Sequence, residues 1–245
     1  TDGAFITNDT NTLSDIYRYD RTGEIVLRVS ERNSTTPADG NSTHPTISSS
    51  GDIVAFSSEA TNLVSKTDDN DGADIFVRAI TAATNTLVSL NVNGTLGNGA
   101  STTPAISADG RYIAFRSAAT NLVSGDSNSA QDIFVFDRTA DKIFRVSVQT
   151  TGSDTNGDSG EPTIANNAQW IAYSSTAQNL VTGDLNNLKD VFLANSECVI
   201  DDLVVTAAAD FDSDATTNCN DGCGADATKT SAGTCGCGIA DTDTD

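Results

Sequence analysis

Of the 245 residues, 37% are apolar or aromatic and a further 19 are glycine, a proportion typical of chains that fold and too rich for full disorder. Asp and Glu number 34 against 13 Lys and Arg, a formal charge of −21; such a surface repels phosphate backbones and anionic headgroups, so nucleic acid and membrane are excluded as partners and divalent cations favoured. No apolar run reaches the ~20 residues of a membrane helix, and Thr1 with no Met anywhere is expected of a processed or partial chain whose signal peptide has gone.

The chain reads as two modules. Residues 198–245 hold ten Asp, no Glu and a single Lys, and all five cysteines fall there. Residues 1–197 are a repeat. The unit "DIYRYDR" at Asp15 returns as "DIFVRAI" at Asp74, "DIFVFDR" at Asp132 and "DVFLANS" at Asp190, spaced 59, 58 and 58 apart. In step with it run "LRVS", "TLVS" and "FRVS", then "PTIS", "PAIS" and "PTIA" from Pro45, Pro104 and Pro162, then "DIVAFSS", "RYIAFRS" and "WIAYSS". Each period thus carries four short β-branched or aromatic runs parted by Gly, Asn, Asp and Ser, the pattern of four strands joined by turns. An Asn follows in "TNLVS", "TNLVS" and "QNLVT", at Asn62, Asn121 and Asn179. The recurring aromatics Phe56, Phe115, Tyr173, Trp170, Phe76, Phe134 and Phe192 are expected in the core between sheets.

These motifs resemble the TolB-type, WD-like β-propeller repeat, over residues 1 to about 195. The resemblance implies an all-β fold of four-stranded antiparallel blades with a period of about 58 residues. It also implies that the Pro-containing strand is innermost, bringing His44, Thr103 and Glu161, which precede the three prolines, toward a central channel. About three blades with partial ends are present, fewer than the ~4 to 8 that close a propeller, so exposed edges are expected to be completed by more chain or by neighbouring copies.

Residues 198–209 read as a linker or extra strand, and 210–245 resemble a thrombospondin type 3 repeat, a small disulfide-stapled, calcium-binding, loop-rich module. Asp210, Asp212, Asp214, Thr216 through its main-chain oxygen, Asn218 and Asp221 occupy positions 1, 3, 5, 7, 9 and 12 of a calcium loop, and Asp241, Asp243 and Asp245 restart the pattern. Alternate carboxylates converging on one point repel strongly unless a cation sits between them. Cys219, Cys223, Cys235 and Cys237 are expected to form disulfides across the module, in one of three connectivities, with Cys198 left over; this implies an oxidising compartment.

A second acidic pattern recurs inside the repeats: Asp9, Asn11 and Asp15; Asp68, Asn70 and Asp74; Asp126, Asn128 and Asp132; Asp184, Asn186 and Asp190. Either these loops hold calcium or the side chains bind nearby backbone amides in Asx-turns; four occurrences make the reason architectural, since a catalytic site appears once. There is one histidine, and there is no Gly-x-Ser-x-Gly elbow, phosphate loop or His-Glu-x-x-His helix. The expected function is that of a secreted or cell-surface structural and adhesive protein, non-enzymatic and calcium-stabilised, which meets itself, other extracellular proteins or glycans and assembles head-to-tail into a filament. The alternative is a secreted propeller hydrolase, or its polysaccharide- or peptide-binding domain, in which His44 and Glu161 converge.

Overall fold

The computed structural model describes residues 6, 9–67, 70, 72–149, 152–166, 168–181, 184 and 186–195. All but the last of these belong to one compact unit, Thr1–Ala194. The linker, Cys198 and the calcium and disulfide positions expected between 210 and 245 lie outside the described residues, as does Asp68.

The described chain is all-β. Strands β1 (Tyr17–Asp20) and β2 (Ile25–Arg28) form a two-stranded sheet, and β3 (Glu31–Asn33) and β4 (Thr36–Pro37) a small hairpin. Then β5 (Ser42–Ile47), β6 (Ile53–Ser58), β7 (Asp74–Ala79) and β8 (Thr84–Leu87) make a four-stranded antiparallel sheet in chain order. A second such sheet joins β9 (Ser101–Ile106), β10 (Tyr112–Ser117), β11 (Asp132–Asp137) and β12 (Lys142–Arg145), and β13 (Ser159–Ile164), β14 (Trp170–Ser175) and β15 (Asp190–Asn195) form a three-stranded one. The expected blades are therefore present, two of them with all four strands.

Neighbouring sheets pack face to face, which is why the middle strands read as apolar on both faces. Ala55, Ile75 and Val77 pack with Val88 against Ile113, Phe115, Phe134 and Phe136 of the next sheet. On the opposite face Val54, Phe56, Phe76 and Leu87 cover Ile16 and Val29. Each blade places an aromatic pair across its second and third strands: Phe56–Phe76 at 6.0 Å, Phe115–Phe134 at 5.9 Å and Tyr173–Phe192 at 5.9 Å between ring centroids. Burying one such ring contributes about 2–3 kcal/mol. Trp170 departs from expectation: it is 39% exposed, since it opens β14 on the last described sheet, whereas Ile53 at the same position packs against residues of the next one.

The inner row consists of β5, β9 and β13, which lie side by side. These strands begin three residues before the prolines, so His44 does not start its strand. Opposite Ser57 and Ala55 stand Thr43 and Thr46, leaving His44 and Pro45 as an extra step; Thr103–Pro104 and Glu161–Pro162 repeat this bulge. Proline suits the bulge because no ladder partner awaits its missing N–H. The preceding residue turns left-handed at His44 (φ 52°), Thr103 (φ 51°) and Glu161 (φ 54°), a conformation that costs about 1–2 kcal/mol for a non-glycine residue.

Candidate functional site

The four recurrent acidic loops form the same hydrogen-bonded turn. Asn11, Asn70, Asn128 and Asn186 each accept, through Oδ1, the backbone N–H two residues on, at 3.0, 2.8, 2.9 and 2.7 Å. That bond fixes the amide orientation and turns Nδ2 toward the closing aspartate: Asn70 donates to Asp74 (3.2 Å), Asn128 to Asp132 (3.1 Å) and Asn186 to Asp190 (3.1 Å). Asn11 donates instead to Ala38 O at 2.9 Å. These hydrogen bonds are those of an Asx-turn.

The closing aspartates also hold the blade's fourth strand. Ser30, Ser89 and Ser147 donate to Asp15, Asp74 and Asp132 at 2.5, 2.6 and 2.5 Å, while accepting the N–H of Ile16, Ile75 and Ile133. Among the described residues, no three His, Cys, Asp or Glu side chains gather as a metal cluster.

The opening aspartates meet buried arginines. Arg145 Nη1 lies 3.0 Å from Asp126 and 3.6 Å from Asp132, and its Nη2 lies 2.5 Å from Asp154. Burial pushes the Asp126 carboxyl up to about 6, with Asp132 adding to the rise and Arg145 opposing it. Asp132 is also raised, chiefly by burial. In the first repeat Arg28 stands 3.8 Å from Asp9, which also accepts the Tyr17 hydroxyl; burial first, then that bond, raises the Tyr17 pKa. The middle repeat has Leu87 at the arginine position, buried in the core. For Asp184 the corresponding position falls after 195, outside the described residues.

The Asn in the "NLV" motif was seen in the sequence as a landmark without a role. Asn62, Asn121 and Asn179 donate to Pro37, Leu96 and Asp154 carbonyls (2.9, 2.9 and 3.1 Å) and accept N–H from Asp39, Asn98 and Asn156. The side-chain oxygens of the latter three accept in turn the N–H of Thr61, Thr120 and Gln178, each at 2.8 Å. This reciprocal clamp ties each inter-blade loop to the loop after the second strand. Buried hydroxyl pairs Ser42–Ser58, Ser101–Ser117 and Ser159–Ser175 (2.9, 2.9 and 3.0 Å) pin the first strands to the second.

Non-repeating residues remain. His44 Nδ1 meets Thr43 Oγ1 at 2.9 Å on the wall of a cleft of about 350 Å³ that also borders Tyr17 and Asp15. Glu161 lies on another blade, where its Oε2 accepts from Ser174 (2.8 Å) and Lys189 (2.9 Å); these bonds, Lys189 first, hold its carboxyl below the usual range. The two residues expected to converge in a hydrolase each find partners on their own blade.

No family model matches the chain and no curated protein matches it. Similar solved structures include Porphyromonas gingivalis dipeptidyl peptidase 4 (18% identity, TM-score 0.47, covering 74% of this chain and 27% of that one). TolB from Acinetobacter baumannii is 14% identical (TM-score 0.36, 74% and 49%). The β-propeller domain of the Trilobed protease from Pyrococcus furiosus is 13% identical (TM-score 0.36, 65% and 45%). The chain spans less than half the length of each of these. Its own sheets are antiparallel and stacked face to face, two of them with four strands, the arrangement of propeller blades.

Proposed function

We propose that this chain is a secreted or cell-surface structural and interaction protein, non-catalytic, whose blades associate through an open sheet face and whose 210–245 segment binds calcium. The observation that carries the reading is on β15. Val191 and Leu193 stand at the positions of Ile75 and Val77, and of Ile133 and Val135, which are at most 1% exposed under the next sheet; Val191 and Leu193 are 78% and 63% exposed. The covered counterparts within the array support another blade-type sheet, with an aromatic pair at the contact, as the occupant of such a face. The second support is the negative charge of Asp210, Asp212, Asp214 and Asp221, at positions 1, 3, 5 and 12 of one loop, which needs a cation to hold one shape.

Head-to-tail association of copies is tested by light scattering on the full chain with calcium or with chelator. The wild type is expected to show concentration-dependent growth that Val191→Asp with Leu193→Asp abolishes and chelation weakens. A wild type that stays monomeric at the highest soluble concentration would overturn the association. Calorimetry that detects no calcium binding would overturn the metal reading.

A further inference from the structure

In a repeat fold, what every blade does is architecture, so side chains that break the repeat at matched positions identify chemistry particular to one place. Four such departures occur together. Arg116 stands where the other blades have Ser57 and Ser174, and Glu161 where they have His44 and Thr103. Lys189 stands where they have Ser14, Ala73 and Gln131, and Gly160 where they have Thr43 and Thr102.

The fold brings all four to one corner at the inner ends of β9, β10 and β13. Glu161 Oε2 accepts from Lys189 Nζ at 2.9 Å and from Ser174 Oγ at 2.8 Å. The Arg116 guanidinium donates through Nε and Nη2 to Thr102 Oγ1 at 3.2 and 2.9 Å. Its Cδ lies 3.5 Å from the point a Cβ would occupy on Gly160, so the missing side chain is what lets the arginine lie across the strand. The Arg116 charge also acts on the Glu161 carboxylate.

Stability gives this cluster little reason to exist. The Lys189–Glu161 pair is 51% and 70% exposed, and solvent screens pairs of that kind to little net stabilisation. Arg116 is held by a neutral hydroxyl; among the described residues no carboxylate lies within ion-pair distance of it, in a chain where acids outnumber bases 34 to 13. Two cations face one carboxylate, so the corner is locally positive on a surface that is otherwise strongly negative. A guanidinium with a free edge binds carboxylates in a fork, and the adjoining Glu161, Thr102 and Ser174 supply acceptors for hydroxyl groups.

We propose that Arg116, Lys189 and Glu161, with Thr102 and Ser174, bind a hydroxylated carboxylate of the uronic acid class. Arg116 and Lys189 take the carboxylate, and Glu161 accepts from a neighbouring hydroxyl.

The test is an NMR titration of the full chain with D-glucuronate, with glucose and N-acetylglycine for comparison. Arg116→Ser and Glu161→Thr install residues that other blades already carry at these positions. Glucuronate is expected to bind saturably and glucose not at all, and Arg116→Ser to weaken glucuronate about tenfold or more, the loss of one charge-assisted interaction. Glu161→Thr is expected to erase the preference for glucuronate over N-acetylglycine. Should Arg116→Ser fail to fold, Lys189→Gln, which copies Gln131, is expected to weaken binding in the same direction. Absent glucuronate binding, or equal binding by wild type and the cation variants, would overturn the site. N-acetylglycine binding as tightly as glucuronate to the wild type would overturn the hydroxylated class of ligand.

Discussion

Replacing Gly99 by alanine tests whether the inter-blade clamp fixes backbone positions to a few tenths of an ångström. A Cβ at Gly99 would lie 2.8 Å from the Ala118 carbonyl oxygen, 2.9 Å from its carbon and 3.0 Å from Ala119 N. The obstacle is backbone, and it cannot swing aside: Ala118 N bonds Ala100 O at 2.9 Å, Thr120 N bonds Asn98 Oδ1 at 2.8 Å, and Asn121 spans back to Leu96 O at 2.9 Å. Overpacking of this kind costs about 1–3 kcal/mol, and stretching one clamp bond adds about 1 kcal/mol. The stiffer unfolded chain returns about 0.4–1 kcal/mol. The net loss of about 2 kcal/mol lowers the melting temperature by roughly 4–8 °C in a unit of this size. Circular dichroism melts of Gly99→Ala and Gly23→Ala decide it, since at Gly23 a Cβ meets the flexible end of the Ile25 side chain at 3.2 Å. If Gly99→Ala melts with the wild type, as Gly23→Ala is expected to, the clamp does not hold that backbone in place.

Three further outcomes follow from the same geometry. The Asp126 carboxyl is raised to about 6, so the stability it lends is fully present below its unfolded pKa and lost as pH rises from about 4 through 6. Against Asp126→Asn, the wild type should therefore lose about 2 kcal/mol across that window, and parallel urea-derived stability curves would contradict it. Arg145→Leu, although it copies Leu87, strands Asp126 and Asp132 together and should cost about 3 kcal/mol at pH 7. The loss should shrink at pH 5, where Asp126 is protonated; urea midpoints at the two values test this. Ala168 is left-handed (φ 60°) where its counterpart is Gly110 (φ 76°). Ala168→Gly relieves about 1–2 kcal/mol against about 0.8 kcal/mol of lost methyl burial and about 0.4–1 kcal/mol for the looser unfolded chain, so it should melt with the wild type; a fall of about 3–6 °C, the two costs unopposed, would refute the strain.

The blades were legible because the repeat displays its own register: Phe56, Phe115 and Tyr173 recur with Phe76, Phe134 and Phe192, and stacked sheets need that recurrence. The turn at Asn70 was legible as one of two chemistries, since Asp and Asn in a loop suit both metal and amide. The structure shows the amide chemistry, with the Gly72 N–H bound by Asn70 Oδ1. Other features depend on pairing between distant segments. Nothing local marks Asn62 as the partner of Pro37, or His44 as a bulge residue, because each is defined by what lies across a strand or loop. Arg116, Glu161 and Lys189 are visible as departures from the repeat, but their convergence comes from the stacking of β9, β10 and β13.

Each inner strand opens on a hydrogen bond borrowed from the sheet before it: Ser42 N to Ser14 O, Ser101 N to Ala73 O and Ser159 N to Gln131 O, all at 2.7 Å. No repeat is therefore self-sufficient in its main-chain bonding. A gene fragment encoding one repeat alone would yield a polypeptide with an unmet donor at its head and an unmet acceptor at its third strand. Growth or loss of the array by unequal recombination is accordingly expected to succeed in whole periods, wherever the cut falls, because every junction offers the same donor and acceptor to its new neighbour.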